Sequence, residues 1–198
     1  FMNHKDLVYL GKLIKNMKKI LVILLVSILS IGCSENRVLI DELTNKGTKN
    51  SPLMYNEKGL FNGIGFDIHP NGQLKKEVNY KYGKKNGLHE SWYTDGQISF
   101  QSFYKDNELD GRLLLWWSDG QVREYGYYKN GLKDGSHTKY YSNGEIEFSG
   151  SYRYGEKFFL HDVYTEDGEL WSRKEFKNGR LLSQTLYRDG QIISEKIY

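Results

Sequence analysis

The sequence predicts an all-β protein: one elongated antiparallel meander sheet assembled from 24-residue hairpin repeats. Three observations carry that reading. A turn glycine recurs as Gly72, Gly96, Gly120, Gly144 and Gly168, then after a shorter step as Gly190, each directly after an Asn or Asp. Counted from that glycine, position +2 is always aliphatic (Leu74, Ile98, Val122, Ile146, Leu170, Ile192) and position +8 always aromatic (Tyr80, Tyr104, Tyr128, Tyr152, Phe176, Tyr198). The composition, with 29 aromatic residues, 21 glycines and two prolines, suits many short strands joined by tight turns. A fixed period of roughly 20–50 residues marks a repeat array, in which units bury surface against their neighbours and need no thick layered core.

Taken in order, residues 1–16 read as an upstream extension, with Met17 the more natural start. Residues 17–32 read as a lipoprotein signal peptide. Lys18 and Lys19 form a basic stretch, and the apolar run from Ile20 to Ile31 is shorter than the roughly 20 residues that span a bilayer. The run ends in Ser30-Ile31-Gly32-Cys33, which resembles a bacterial lipoprotein signal, although Ser30 stands where that pattern usually has Leu. Cys33 is the only cysteine, so it has no intramolecular disulfide partner, and it is the expected lipidation site. Residues 33–52 are polar and are expected to tether the array, which then occupies residues 53–198 in about six units. Within these bounds Leu53 to Gly63 reads as half of a degenerate repeat, and Arg37 to Leu43 as a possible extra strand.

Each unit is expected to hold two turns. Position −4 is large and apolar or aromatic throughout (Ile68, Trp92, Trp116, Tyr140, Tyr164, Leu186), whereas position −3 is mixed (His69, Tyr93, Trp117, Tyr141, Thr165, Tyr187). A three-residue loop with glycine in the left-handed conformation pairs −4 with +2, so that loop is favoured over a two-residue Asn-Gly loop. Strict alternation then places +2 and +8 on one face. A second turn falls at Gly83, Asn107, Gly131, Gly155 and Gly179, all residues that tolerate positive φ. Gly63, Gly87, Gly111 and Gly135 form another column at −9, broken by Phe159 and Leu181. The meander should number about ten to twelve strands.

The formal charge of +3 is concentrated at the N-terminus. Without residues 1–32 the chain has 23 basic and 24 acidic residues, a net charge of −1, so composition gives no support for binding nucleic acid. No GxSxG, HExxH or phosphate-binding loop is present, and no catalytic, cofactor or metal site is expected. His89, His137 and His161 share position −7 and are expected on the surface.

Tyr140-Tyr141-Ser142-Asn143-Gly144-Glu145-Ile146, followed by Tyr152 and Gly155, resembles the bacterial MORN-repeat variant; the units around Gly96 and Gly120 match nearly as well. The resemblance implies an elongated antiparallel sheet that binds protein or lipid, and brings no catalytic residues. Many bacterial members are named as antitoxins. The expected function is therefore a membrane-anchored, non-enzymatic interaction scaffold in the cell envelope. It would hold a protein or envelope component along its sheet; the alternative is an antitoxin or immunity protein that masks a toxin. At −3, Tyr93, Trp117, Tyr141 and Tyr187 are the expected exposed partner-binding residues, since −4 and +8 are needed for packing.

Overall fold

The computed structural model describes residues 36–198. Cys33 and the expected signal peptide lie outside the described residues. The chain is a meander of β5 (Gly63–Ile68), β6 (Leu74–Lys81), β7 (Lys84–Trp92), β8 (Ile98–Lys105), β9 (Glu108–Trp116), β10 (Val122–Lys129), β11 (Leu132–Tyr140), β12 (Ile146–Arg153), β13 (Glu156–Tyr164), β14 (Leu170–Lys177), β15 (Arg180–Arg188) and β16 (Gln191–Ile197). A short β1 (Arg37–Leu39) adds a parallel strand beside β5, giving thirteen strands and making the sheet mixed at one edge. The all-β repeat fold is as the sequence predicts.

Within the segment expected to be a tether, β1 forms the first part of the Arg37 to Leu43 stretch read as an extra strand, and a 3-10 turn at Ile40–Glu42 follows. Leu39 and Leu43 are buried, and Arg37 forms an ion pair with Glu77 on β6. A second, three-stranded sheet of β2 (Thr44–Asn45), β3 (Met54–Asn56) and β4 (Gly59–Leu60) follows. It packs Met54 against a cluster of Leu43, Phe61, Val78 and Tyr80. The physical reason is plain in the residues: Val38, Ile40 and Leu43 supply apolar surface that packs with Val78 and Tyr80 of the first repeat. The Asn107 amide also donates to the Pro52 carbonyl at 2.8 Å, clipping this segment to the second unit's second turn.

The first turn of each unit is the expected three-residue loop in five units. Tyr93 N donates to Gln97 O and Gly96 N to Tyr93 O, and the same pair of bonds recurs at His69, Trp117, Tyr141 and Thr165. Glycine there is left-handed, with φ between 81° and 89°. Position −4 accordingly pairs with +2, as in Trp92↔Ile98 and Tyr140↔Ile146. The sixth unit departs: Tyr187 pairs with Ile192, and Asp189-Gly190 is a two-residue loop with both φ values positive. That switch of loop type accompanies the shortened spacing before Gly190.

A bulge at +3 overturns the expected alternation. Ile68 pairs with Leu74 and Asp67 with Lys76, leaving Lys75 as an extra residue; Ser99, Arg123, Glu147 and Trp171 are extra in the same way. The inserted residue reverses the alternation, so +2 and −4 lie on one face while +4, +6 and +8 lie on the other. A second irregularity follows the −9 column. Gly135 has φ +107°, and its added Cβ would sit 3.3 Å from Tyr127. In the fifth unit Phe159 takes this place with φ +57°, a left-handed conformation that costs a bulky residue roughly 1–2 kcal/mol.

The second turns are two-residue loops with both residues left-handed, such as Asn130-Gly131 (φ +48° and +77°) and Tyr154-Gly155 (φ +51° and +85°). Their second N–H, which points to solvent in an isolated hairpin, here reaches the strand start just after the previous second turn. Asn107 N donates to Lys85 O, Gly131 N to Leu109 O, Gly155 N to Lys133 O and Gly179 N to Lys157 O, at 2.8 to 3.0 Å. Strands two apart in a flat sheet stand roughly 10 Å from each other. The bulge beside the −9 residue is what brings the strand start close enough for this bond.

These observations predict two opposite responses at glycine-related sites. Gly126→Ala, whose Cβ would lie 2.3 Å from the His137 ring, should lower unfolding free energy by about 1–3 kcal/mol. Phe159→Gly should raise it by a few tenths to about 1 kcal/mol, relieved left-handed strain outweighing glycine's added chain entropy. Urea unfolding of both variants checks the pair.

Candidate interaction surface

One face of the sheet carries a packed column of rings. His137 lies between Tyr128 and Tyr152, with centroids 5.1 Å from each, and His161 lies between Tyr152 and Phe176 at 4.9 and 5.0 Å. The contacts are edge to face, the favoured geometry for ring pairs. Upstream, His89 packs on Phe100 and Tyr104. The column forms because position −7 pairs across the hairpin with +6, and +6 is small: Ser102, Gly126 and Gly150 face His89, His137 and His161. Leu113 fills the same register in the third unit. Lysines at −11 cover the rings, with Lys85, Lys133 and Lys157 about 5 Å from the centroids of Tyr104, Tyr152 and Phe176.

The three histidines are thus buried, which corrects their expected surface position. His137 is 2% exposed and His161 4%. A lone sequence cannot show this, because the cavity that receives each ring is made by a glycine or serine on the neighbouring strand. The Nε2–H groups of His137 and His161 donate to the carbonyls of Tyr127 and Ser151, both at 2.8 Å. Burial, with the nearby Lys85 and Lys76 cations, pushes the His89 pKa down to about 3. Burial also lowers those of His137 and His161. Among the described residues no group of three or more His, Cys, Asp or Glu side chains is placed to hold a metal ion.

The position −3 residues are half-buried. The Tyr93 hydroxyl donates to the Trp116 carbonyl at 2.6 Å and the Tyr141 hydroxyl to the Tyr164 carbonyl at 2.8 Å. His69 makes the corresponding contact to the Trp92 carbonyl. Each therefore ties its turn to the next unit's −4 residue. Trp117 differs: its buried Nε1–H has no partner, and Arg123 lies over the ring at 5.3 Å. Tyr187, in the last unit, is half-buried beside Arg173.

The opposite face carries Trp92, Trp116, Tyr140 and Tyr164 at −4, one per unit and each half-buried. Tyr125 and Tyr127 adjoin this face with their rings 5.2 Å apart. In the fifth unit Asp162 and Arg173 form a two-bonded ion pair at 2.7 and 2.8 Å, and these bonds raise the Arg173 pKa further. The sequence reading assigned the −4 set to packing alone; the bulge that turns it away from the ring column could not be read from spacing.

The fold and its surfaces define a β-repeat array whose side chains mostly serve contacts between successive hairpins. Four consecutive segments of about 24-residue spacing, 61–82, 85–106, 109–130 and 133–154, match the model of the MORN repeat variant and are similar to MORN repeats. Each segment ends at the first residue of a second turn. No curated protein matches the chain. Among solved structures, a crystal structure of the GtfA/B complex bound to UDP and GlcNAc is similar at 12% identity with a TM-score of 0.19, over 84% of this chain and 27% of that one. The chain thus spans about a quarter of the length of that match.

Two measurements follow. Because the histidines stay neutral in the fold but protonate when unfolded, stability is full above their ordinary pKa near 6.5 and falls as pH drops below it. Unfolding free energy should decline between pH 7 and pH 5, with about 2 kcal/mol from His89 alone. His89→Leu, copying Leu113, should remove that share of the decline in denaturant titrations at each pH. Tyr93→Phe should cost about 1 kcal/mol by the same measurement, the worth of one hydrogen bond.

Proposed function

We propose that the chain is a membrane-anchored lipoprotein whose MORN repeats form a non-catalytic interaction scaffold. The observation that carries the scaffold reading is the −4 column. Trp92, Trp116, Tyr140 and Tyr164 present four half-buried aromatic surfaces at one register. Partly exposed, regularly spaced aromatic groups on a rigid sheet are suited to anchoring a partner that lies across several repeats. Tyr93, Trp117, Tyr141 and Tyr187 belong to the same reading as residues that fix the edge along which the partner lies. No cofactor enters this function.

The anchoring half of the proposal rests on the sequence Met17 to Cys33, with Cys33 as the lipidated residue. Several acyl chains hold a protein stably in a bilayer, placing the array on the extracytoplasmic side of a membrane. Among the described residues no helix is long and apolar enough to cross one. The partner would then be a protein or other component of the cell envelope. An immunity protein that masks an incoming toxin is a special case of the same scaffold, differing only in the partner.

Labelling cells with a radioactive fatty acid should mark the native chain in the membrane fraction and leave Cys33→Ala unlabelled. Crosslinking the labelled chain should then capture an envelope partner, and Trp116→Ala should reduce that capture. An unlabelled cytoplasmic protein would sink the anchoring reading and favour a conventional antitoxin.

A further inference from the structure

The fifth unit departs from its predecessors at three positions that meet in one cleft. At +3 the earlier units carry Lys75, Ser99, Arg123 and Glu147; the fifth carries Trp171, which is 53% exposed. At +4 Phe100 and Phe148 fill the ring face of the second and fourth units; the fifth has the small Ser172, almost fully buried. At +6 the small or apolar Val78, Ser102, Gly126 and Gly150 give way to Lys174. The space left by the missing phenylalanine is a cleft of about 190 Å³ with Phe148, Phe176 and Trp171 among its walls and Lys157, Lys174 and Gln184 around it. It lies almost wholly beyond residue 154, where the profile of the repeat variant ceases to match.

The chemistry of this lining selects a ligand. Among the described residues neither Lys157 nor Lys174 forms an ion pair with a carboxylate. Two ammonium groups beside an apolar wall favour an anion attached to a flat or partly apolar body. The cleft is smaller than the roughly 300–1,000 Å³ of sites for drug-sized ligands, so a single ring suits it. The Ser172 hydroxyl and the Gln184 amide at the cleft can be met by the hydroxyls of a sugar and not by an aromatic acid. An exposed indole offers a flat apolar surface to the C–H groups of a pyranose.

We propose that this cleft binds a pyranose ring bearing a carboxylate, its C–H face against Trp171 and its carboxylate between Lys157 and Lys174. The inference deepens the scaffold reading by giving one repeat a small acidic glycan unit as its ligand, and it rests on that reading.

The test uses the purified full chain in detergent, titrated with glucuronate by calorimetry and tryptophan fluorescence, with glucose and benzoate as comparisons. Glucuronate should saturate the protein, and glucose should bind about tenfold more weakly for want of the charge contact. Trp171→Ala should abolish the response, and Lys174→Gln should weaken it about fivefold or more. Ser172→Phe, which restores the side chain used by the second and fourth units, should keep the circular dichroism spectrum and close the site. Absence of saturation by glucuronate, glucose binding as tightly, benzoate binding more tightly, or full binding by Ser172→Phe would each overturn the proposal. Partner capture by the labelled chain is read separately, so a failed titration with intact capture removes the sugar site and leaves the scaffold.

Discussion

The hydrogen bond from each two-residue turn to the strand start beside the previous such turn is the constraint on which the rest of this structure depends. A single-layer sheet has no second layer to bury its side chains, yet Val78, Ser102 and His137 are nearly inaccessible. Ser102 and His137 become so because Asn107, Gly131, Gly155 and Gly179 draw one edge of the sheet together, two strands at a time. The −9 bulges supply the slack in the backbone that this needs, and glycine with positive φ is the residue that supplies a bulge at least strain. Pinched in this way, successive hairpins close over the ring column, and the histidines and +8 aromatics become a core one side chain wide.

A core of that kind has little tolerance. The His137 and His161 rings occupy the space of the Cβ that Gly126 and Gly150 lack, so volume is exchanged between neighbouring strands. It also joins stability to pH, because a neutral imidazole is being used as an apolar spacer. Nearest-neighbour coupling is the general rule for repeat arrays, and here it has identifiable atoms: a turn amide, a −3 hydroxyl and an edge-to-face ring pair. The N-terminal end is covered by β1 and the Leu43–Phe61 cluster, which shields the first unit's Val78 and Tyr80.

Much of this architecture was legible in the sequence, and the losses are instructive. Spacing alone gave the hairpin, the −4 to +2 pairing and the left-handed positions of the second turn, since these follow from local turn chemistry. It misplaced +2 relative to +8, because a one-residue bulge at +3 leaves no residue-type signature: Lys75, Ser99, Arg123, Glu147 and Trp171 have nothing in common. It put the histidines outside, because polarity was visible and the receiving glycines on the adjacent strands were not matched to them. Residues 36–52 looked polar as a composition, but four apolar side chains among them were enough to fold onto the first repeat. The fifth unit's cleft required knowing which columns share a face.

The most direct measurement of the central constraint is amide hydrogen exchange at Asn107, Gly131, Gly155 and Gly179. These four residues lie at hairpin tips, three of them exposed, and in an isolated two-residue turn their N–H groups would exchange nearly as fast as an unfolded chain. The account predicts protection comparable to that of the adjoining strands, lost only when the preceding unit opens. Rapid exchange at these amides, with the strands themselves protected, would contradict it and leave the ring column without its cause.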